Sequence, residues 1–193
     1  MKESEKILIE NAQKGDTASF EKLIKKHEVK IYNLLLGMLG NVHATEDLFQ
    51  ETFITAWKKI KSFRGDSELS TWLYRIAVNT VLMKKRKKKK ITTISIDEPI
   101  ESHGKEISRD IQDDWSNSPL ATLENKELKK KVFNSIQKLP DKYRAVLVLR
   151  DVDGFSNDEV KNILKISLPS VKSRLHRARM FMRNNLSSYF RTR

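Results

Sequence analysis

The chain has 193 residues, of which 33% are charged and 38% hydrophobic, and its formal net charge is +13. This length accommodates one ordinary domain or two small ones. The positive charge indicates an acidic partner, namely nucleic acid, anionic lipid or an acidic protein. Cysteine is absent, which excludes disulfides, thiolate zinc sites and cysteine nucleophiles, and the four histidines are scattered. We therefore expect no metal site and no cofactor.

The sequence predicts neither a membrane span nor a signal peptide. No stretch approaches 18 uninterrupted apolar residues, and the segment Met1–Lys6 lacks an apolar core. We expect a cytoplasmic protein without direct membrane insertion. Six glycines and four prolines leave long helices with few interruptions, so the expected fold class is all-α.

Composition divides the chain into three blocks. Residues 1–90 and 121–193 show helical periodicity, and we predict one small helical domain in each. Residues 91–120 differ, because the stretch from Ile91 to Ser118 holds seven acidic and two basic residues. Low hydrophobicity combined with charge of one sign favours a flexible acidic linker.

The first block predicts three packed helices. The first starts after Gly15–Asp16 and continues to Gly40–Asn41, a pair suited to a helix C-terminus. The second runs from about Ala44 to Lys61 and is followed by a polar loop over Ser62–Glu68. A third helix is predicted to be capped by Ser70 or Thr71 and to continue through the run Lys84–Lys90. We expect the tryptophans to be core residues rather than binding residues, with Trp72, Leu73, Ile76 and Ala77 facing inward.

The last block predicts a helix-turn-helix. One helix begins at Leu139–Pro140 and breaks at Asp153–Phe155, and Tyr143, Val146, Leu147 and Leu149 are expected to face the core. Ser156 and Glu159 then form a capping box for a short helix. After a turn at Ile166–Pro169, Ser170 is predicted to cap the final helix.

The final helix is predicted to present a basic face. With Val171, Leu175 and Ala178 buried, the opposite face carries Lys172, Ser173, Arg174, His176, Arg177 and Arg179. A helix fits the major groove of DNA, and its N-terminal turns usually contact base edges. From Val160 to Arg193 there are nine Lys or Arg residues and no acidic residue. The alternative is an ordinary helical hairpin with a solvated basic face.

Four motifs, in chain order, resemble those of extracytoplasmic-function (ECF) sigma factors. They are Glu46–Phe53, which resembles the polymerase-binding segment; Ser70–Asn79, which resembles the −10 recognition helix; Leu139–Arg144; and Ser170–Arg179, which resembles the −35 recognition helix. The resemblance covers both helical blocks. It implies two helical domains, sigma two and sigma four, that bind core RNA polymerase, read the two promoter elements and hold melted DNA.

The resemblance also implies a role for individual residues. The polymerase-binding residues would be Asp47, Gln50, Glu51 and Phe53. The −10 element would be contacted by Phe63, Arg64, Ser67, Tyr74, Arg75, Asn79, Lys85 and Arg86. The −35 element would be contacted by Ser170, Lys172, Ser173, Arg174, His176 and Arg177. Implied partners are core polymerase, through the clamp helices of its largest subunit and the flap, promoter DNA and an anti-sigma factor.

Several alternatives remain open in the sequence. The acidic face at Asp47 is either a docking surface or simply solvated, and Phe63 either stacks on a base or fills the core. The lysine run contacts phosphates, is solvated, or pairs with the acidic linker within the chain. Lys161, Lys165 and Val78 depart from the family pattern, and Lys165 puts a left-handed turn in doubt.

The alternative function is a stand-alone helix-turn-helix regulator that does not bind core polymerase. Such proteins usually dimerise, and no dimerisation helix is evident. An enzyme acting on nucleic acid is not expected, because the sequence shows no phosphate-binding glycine loop, metal-ligand set or paired nucleophile and base.

Overall fold

The structure, a computed structural model, describes residues 3–94 and 126–191. Helices account for all regular structure in these two ranges, as predicted. The first module contains α1 (Glu3–Gln13), α2 (Thr17–Lys25), α3 (Glu28–Leu39), α4 (Val42–Lys59), a 3-10 turn (Ile60–Ser62) and α5 (Leu69–Ile94). The second contains α6 (Lys126–Lys138), α7 (Asp141–Leu147) with a π-helical continuation (Val148–Val152), α8 (Asn157–Leu164) and α9 (Leu168–Arg191). Most of the predicted acidic linker lies outside the described residues.

The single helix predicted between Gly15 and Gly40 is wrong, because the chain forms two helices there. The His27 N–H donates to the Ile24 carbonyl at 2.7 Å, which closes α2 with a tight turn before α3 begins. The apolar residues of this segment therefore face different neighbours, because α2 packs on α1 whereas α3 packs on α4 and α5. The predicted end is confirmed, because Gly40 ends α3 in the left-handed conformation.

Helix α1 was not predicted, yet it positions the loop between α4 and α5. The Gln13 side-chain amide donates to the carbonyls of Ile60 and Phe63 at 3.2 and 2.8 Å. These bonds fix the start of the predicted Ser62–Glu68 loop, whose non-helical character from Phe63 onward is confirmed. The apolar stripe of α1 is short, with Ile9 and Ala12 buried and Ile7 exposed, so periodicity gave little signal.

Helix α5 begins two or three residues earlier than a cap at Ser70 or Thr71 predicts. It starts at Leu69, so Ser70 and Thr71 lie in its first turn and neither precedes the helix as a cap. The prediction that α5 continues through the lysine run is confirmed, because the helix extends to Ile94. Its inward residues Leu73, Ile76 and Ala77 are buried as predicted.

The helix-turn-helix of the second module is confirmed. Ser156 and Glu159 form the predicted capping box, and Lys165 adopts the left-handed conformation at φ 52°, so the turn geometry survives without glycine. Helix α9 begins at Leu168, earlier than predicted, because Ser167 rather than Ser170 caps it: the Ser167 hydroxyl accepts the Ser170 N–H at 3.4 Å. The predicted inner face is confirmed, since Val171, Leu175 and Ala178 are buried.

Val146, Leu147 and Leu149 are buried as expected, and Tyr143 packs against the core but is only partly buried. The two modules pack together, with α3 and α5 contacting α6, α7, α8 and the π-helical segment. This packing places the second module against the C-terminal end of α3 and along one side of α5.

Candidate nucleic-acid interface

One face of α4 carries three exposed polar side chains at the predicted spacing. Asp47, Gln50 and Glu51 are all exposed, and Lys84 Nζ of α5 lies 3.5 Å from Asp47 Oδ2. The Asp47 side chain is 74% exposed, so this ion pair leaves its carboxylate open to a basic partner. Phe53 is half-buried beside this face.

An open apolar groove of about 530 Å³ adjoins the acidic face. It is lined by Thr17, Phe20, Phe49, Gln50, Phe53, Ile54 and Trp57. Its aromatic walls are packed on one another, with ring centroids 5.0 Å apart for Phe20 and Trp57 and 4.9 Å for Phe49 and Phe53. Ile54 is 55% exposed at its edge. Exposed apolar surface next to carboxylates suits a protein partner rather than DNA.

The sequence did not reveal this groove. Phe49, Phe53 and Trp57 form an apolar stripe of α4 that helical periodicity alone would place in the core, and all three are only partly buried. The signal available in the sequence was Ile54, which lies off that stripe. Trp57 and Trp72 both pack on the core as predicted, whereas Trp115 lies outside the described residues.

The loop after α4 places Phe63 in the core. Phe63 is 7% exposed, and its ring centroid lies 5.2 Å from that of Trp72, so of the two alternatives left open by the sequence the structure shows core packing. Arg64 is exposed, and Ser67 is half-buried. The polar groups of this loop therefore face solvent while its aromatic residue anchors it.

The outer face of α5 is only partly open. Asn79 is exposed as predicted, and Val78, which departs from the family pattern, is a buried core residue. Tyr74, which was predicted to share or flank the surface of Asn79, is covered in this structure: it is 1% exposed, with its ring centroid 4.5 Å from that of Phe155 in the second module. Burial raises the pKa of the Tyr74 hydroxyl. Arg75 is half-buried, and its Nε has no partner among the described residues.

Lys85 was predicted to meet phosphates and instead contacts protein groups. Its Nζ lies 2.5 Å from Asp141 Oδ1 of α7 and 3.1 Å from the Met38 carbonyl. Burial lowers the pKa of Lys85, and the hydrogen bond to Asp141 opposes that shift. Arg86, next to it, is exposed. Within the described residues, two lysines of this run pair with acidic side chains: Lys85 with Asp141 and Lys84 with Asp47. The linker acids that were predicted as partners lie outside the described residues.

Helix α9 presents the predicted basic face to solvent. Lys172, Ser173, His176 and Arg177 are exposed, while Ser170 and Arg174 are half-buried. The Arg177 guanidinium donates to the Tyr143 hydroxyl at 3.2 Å, and this bond lowers the pKa of Tyr143. Lys161, a second departure from the family pattern, is exposed.

A second arginine of α9 is fixed by an acid in its own module. Arg179 donates through Nε and Nη2 to the two oxygens of Asp151, at 2.9 and 2.6 Å. This bidentate geometry is the strongest form of the arginine–carboxylate pair, and it raises the pKa of Arg179. Sequence periodicity placed Arg179 on the basic face but gave no indication that Asp151 occupies it.

Within residues 3–94 and 126–191, side chains of His, Asp and Glu form no group of three or more suited to a metal ion. Among the helices described, none combines the length and the apolar character required to cross a bilayer.

Comparison with known proteins identifies the family. The model of Sigma-70 region 2 matches residues 23–91, and that of Sigma-70 region 4 matches residues 130–182. The chain is 39% identical over 178 residues to the ECF RNA polymerase sigma factor SigW of Bacillus subtilis, covering 92% of this chain and 94% of SigW. It is 34% identical over 197 residues to the ECF RNA polymerase sigma-E factor of Escherichia coli K12, covering 97% of each chain.

The fold agrees with this assignment. The sigma factor RpoE of Bartonella quintana, solved in complex with the anti-sigma factor NepR, superposes with a TM-score of 0.69 at 23% identity, covering 87% of this chain and 96% of RpoE. Two sigma regions in the expected order and relatives aligned over nearly their whole length lead to one conclusion: this chain belongs to the ECF family of RNA polymerase sigma factors.

Proposed function

We propose that this sigma factor docks on core polymerase through the acidic face of α4 and the adjoining aromatic groove. Asp47, Gln50 and Glu51 supply exposed acceptors, and Phe53 and Ile54 supply apolar contact beside them. Like charges on neighbouring helical turns repel one another weakly, and a basic partner surface relieves that repulsion. The clamp helices of the largest polymerase subunit are the partner proposed for this face, and the flap is the partner proposed for the second module.

The −35 element is proposed to bind α9. Lys172, His176 and Arg177 are exposed on one face and are proposed to reach base edges in the major groove. Ser173 and Arg174 lie beside them and are proposed to contact phosphates. Ser170 lies in the first turn of α9, where the positive end of the helix dipole favours a phosphate.

The −10 element is proposed to bind the loop after α4 and the outer face of α5. Arg64, Ser67 and Asn79 offer donors and acceptors to a base extruded from the single strand, and Arg86 offers a phosphate contact. Phe63 supports this loop from beneath. Tyr74, Arg75 and Lys85 are proposed to join this surface when the second module moves away from α5.

The observation that carries the proposal is the pairing of an exposed basic helix in one module with an exposed acidic face and apolar groove in the other. One surface suits DNA and the other suits a protein, as a factor that bridges polymerase and promoter requires. The stand-alone regulator is not favoured, because the family identified for this chain consists of polymerase subunits.

Reconstitution with core polymerase tests both surfaces. We expect co-elution with core enzyme and promoter-specific run-off transcripts. Ile54→Asp should weaken association with core polymerase about tenfold or more, because it places a charge in the apolar groove. Val29→Asp is the matched control, since Val29 is 50% exposed on α3 and lies outside the groove. Undiminished association of Ile54→Asp would exclude the groove from the polymerase contact.

Further assignments belong to the same proposal. The functional domains are proposed to span residues 1–90 and 121–193, with residues 91–120 as the linker. We propose that the protein acts in the cytoplasm and has no catalytic activity of its own. An anti-sigma factor is proposed as a regulator; the solved complex of RpoE with NepR supports that proposal by analogy of fold.

A further inference from the structure

The second module caps the C-terminal end of α3. Gln137 Nε2 donates to the Gly37 carbonyl at 2.8 Å, and Arg144 Nη1 donates to the Met38 carbonyl at 2.9 Å. A helix C-terminus carries unpaired carbonyls and partial negative charge, so a guanidinium there is favourable. Arg144 is 8% exposed, and its remaining nitrogens donate to two carbonyls in the last turn of α6 and to the Leu139 carbonyl that follows it. Its own module therefore holds it in the orientation that reaches α3.

The same end of the second module holds a cation of α5. Asp141 Oδ1 accepts from Lys85 Nζ at 2.5 Å, and the two side chains are 44% and 28% exposed. Asp141 also lies 3.6 Å from Arg144, so one carboxylate contacts both the α5 lysine and the α3-capping arginine. Both acceptor and donor belong to the Leu139–Arg144 motif, which thus contacts two helices of the first module.

A third contact covers the middle of α5. The ring of Phe155, in the turn between the π-helical segment and α8, packs edge-on against Tyr74 at 4.5 Å. The Tyr74 hydroxyl and Asp153 Oδ2 are buried here without a hydrogen-bond partner among the described residues. Buried polar atoms without partners are unfavourable, and those of permanent interfaces are nearly always satisfied. This part of the interface therefore carries a cost that separation of the modules would relieve.

We propose that Gln137, Asp141, Arg144 and Phe155 form an interdomain latch that covers the Tyr74–Lys85 part of the −10 face, so that the −10 element and the second module compete for the same surface of α5. The inference rests on the proposed −10 role of that face. Closure leaves Lys172, His176 and Arg177 of α9 exposed. The free chain thus keeps its −35 helix available while part of its −10 surface is occupied.

A charge exchange tests the latch without DNA or polymerase. Asp141→Lys should enlarge the radius of gyration of the free full-length chain in small-angle scattering, because it sets two cations against each other. Adding Lys85→Asp should restore the compact value, since the ion pair is rebuilt in reverse. Asp158→Lys, at an exposed position of α8, makes the same change in net charge and should leave the radius unchanged.

Two further variants keep this test decisive. Asp141→Asn retains the size of the side chain and should expand the chain in the same direction. Tyr74→Phe keeps the contact with Phe155 and removes the unpaired hydroxyl, so it should favour the compact form. Equal radii for wild type, Asp141→Lys and Asp141→Asn would overturn the latch, and so would failure of the exchanged pair to restore compactness.

Competition with DNA is tested by fluorescence anisotropy with a labelled single strand of mixed sequence. Free Asp141→Asn should bind this strand about fivefold more tightly than Asp158→Asn, because loss of one half-exposed ion pair shifts closure by about that factor. A duplex probe should show no such difference. Equal single-strand affinities would overturn the competition. Absence of promoter-specific transcripts from wild-type holoenzyme would contradict the proposed function instead, and it would leave the scattering result unaffected.

Discussion

The two surfaces proposed to contact DNA, on α9 and on α5, differ in how much of each is exposed to solvent. On α9, Lys172, His176 and Arg177 face solvent, and the acid that pairs with Arg179 comes from the same module. On α5, Asn79 is exposed, but Tyr74 lies beneath Phe155 and Lys85 is paired with Asp141. In sequence, both helices show the same pattern of a periodic apolar face and basic residues outside it. Periodicity therefore fixes where a side chain points relative to its own module, whereas its accessibility depends on the other module.

The largest effect is expected from Arg177→Ala on the open face. Removing a guanidinium that is proposed to read a base edge should cost about 1–3 kcal/mol of −35 discrimination and reduce −35-dependent initiation about tenfold or more. Association with core polymerase should be unchanged, because Arg177 lies in the other module from the α4 groove. Run-off transcription and co-elution measure the two effects, and an equal loss of both would contradict the assignment.

The covered face should respond to pH through Asp153. Burial raises the pKa of Asp153 from 3.8 to about 8, and the charge of Lys30 on α3 opposes that rise. Between about pH 4 and pH 8 the folded state therefore holds a proton that the unfolded state has lost, so the free energy of unfolding should fall as pH rises through this window. The contribution is complete below the unfolded pKa and lost above the folded one.

Urea unfolding across this pH range measures that contribution. The difference in free energy of unfolding between wild type and Asp153→Asn isolates it, because every other titrating group is shared. A difference that does not vary between pH 4 and pH 8 would show that the carboxyl is hydrated and outside the interface.

A smaller effect is expected from Tyr143→Phe. The Tyr143 hydroxyl accepts the Arg177 hydrogen bond at 3.2 Å, so its removal should leave that side chain less ordered and weaken −35 duplex binding about fivefold, near 1 kcal/mol. The comparison with Arg177→Ala is the control: in that background Tyr143→Phe should have little further effect. Additive losses would assign Tyr143 its own DNA contact.

The smallest effect is expected at the turn before α9. Lys165 holds φ 52°, a conformation that costs an L-residue about 1–2 kcal/mol and glycine almost nothing. Glycine also raises the conformational entropy of the unfolded chain, which offsets part of this gain. The net effect of Lys165→Gly should be a stabilisation of about 0.5–1 kcal/mol. Lys161→Gly, within α8, should destabilise it by a similar amount. Thermal unfolding of the pair measures both, and loss of stability in both variants would contradict the strained turn.

Much of the fold could be predicted from local pattern. The capping box at Ser156 and Glu159, the glycine end of α3 and the inner face of α9 were readable because each depends on residues within a few positions. The division between α2 and α3 could not be predicted, because their apolar residues follow one continuous helical periodicity. The two helices differ only in their packing partners, which the sequence does not show. The start of α9 was misplaced for a similar reason, since Ser167 and Ser170 are equally plausible caps by type.

The candidate surfaces divide in the same way. The exposed acidic residues of α4 and basic residues of α9 follow from helical spacing. The apolar groove at Ile54 does not, because aromatic residues of one stripe can either close a core or line an open surface, and neighbouring helices decide which. Tyr74 and Lys85 were assigned correctly to α5, but the second module covers them.

Sequence alone determined the all-helical class, the family and the order of the modules, because charge, periodicity and motif spacing are local properties of the chain. Tertiary structure alone decided which proposed DNA contacts are open in the free protein. Asp141 and Phe155 meet Lys85 and Tyr74 across 56 and 81 positions of sequence, and contact over that separation depends on how two finished modules pack.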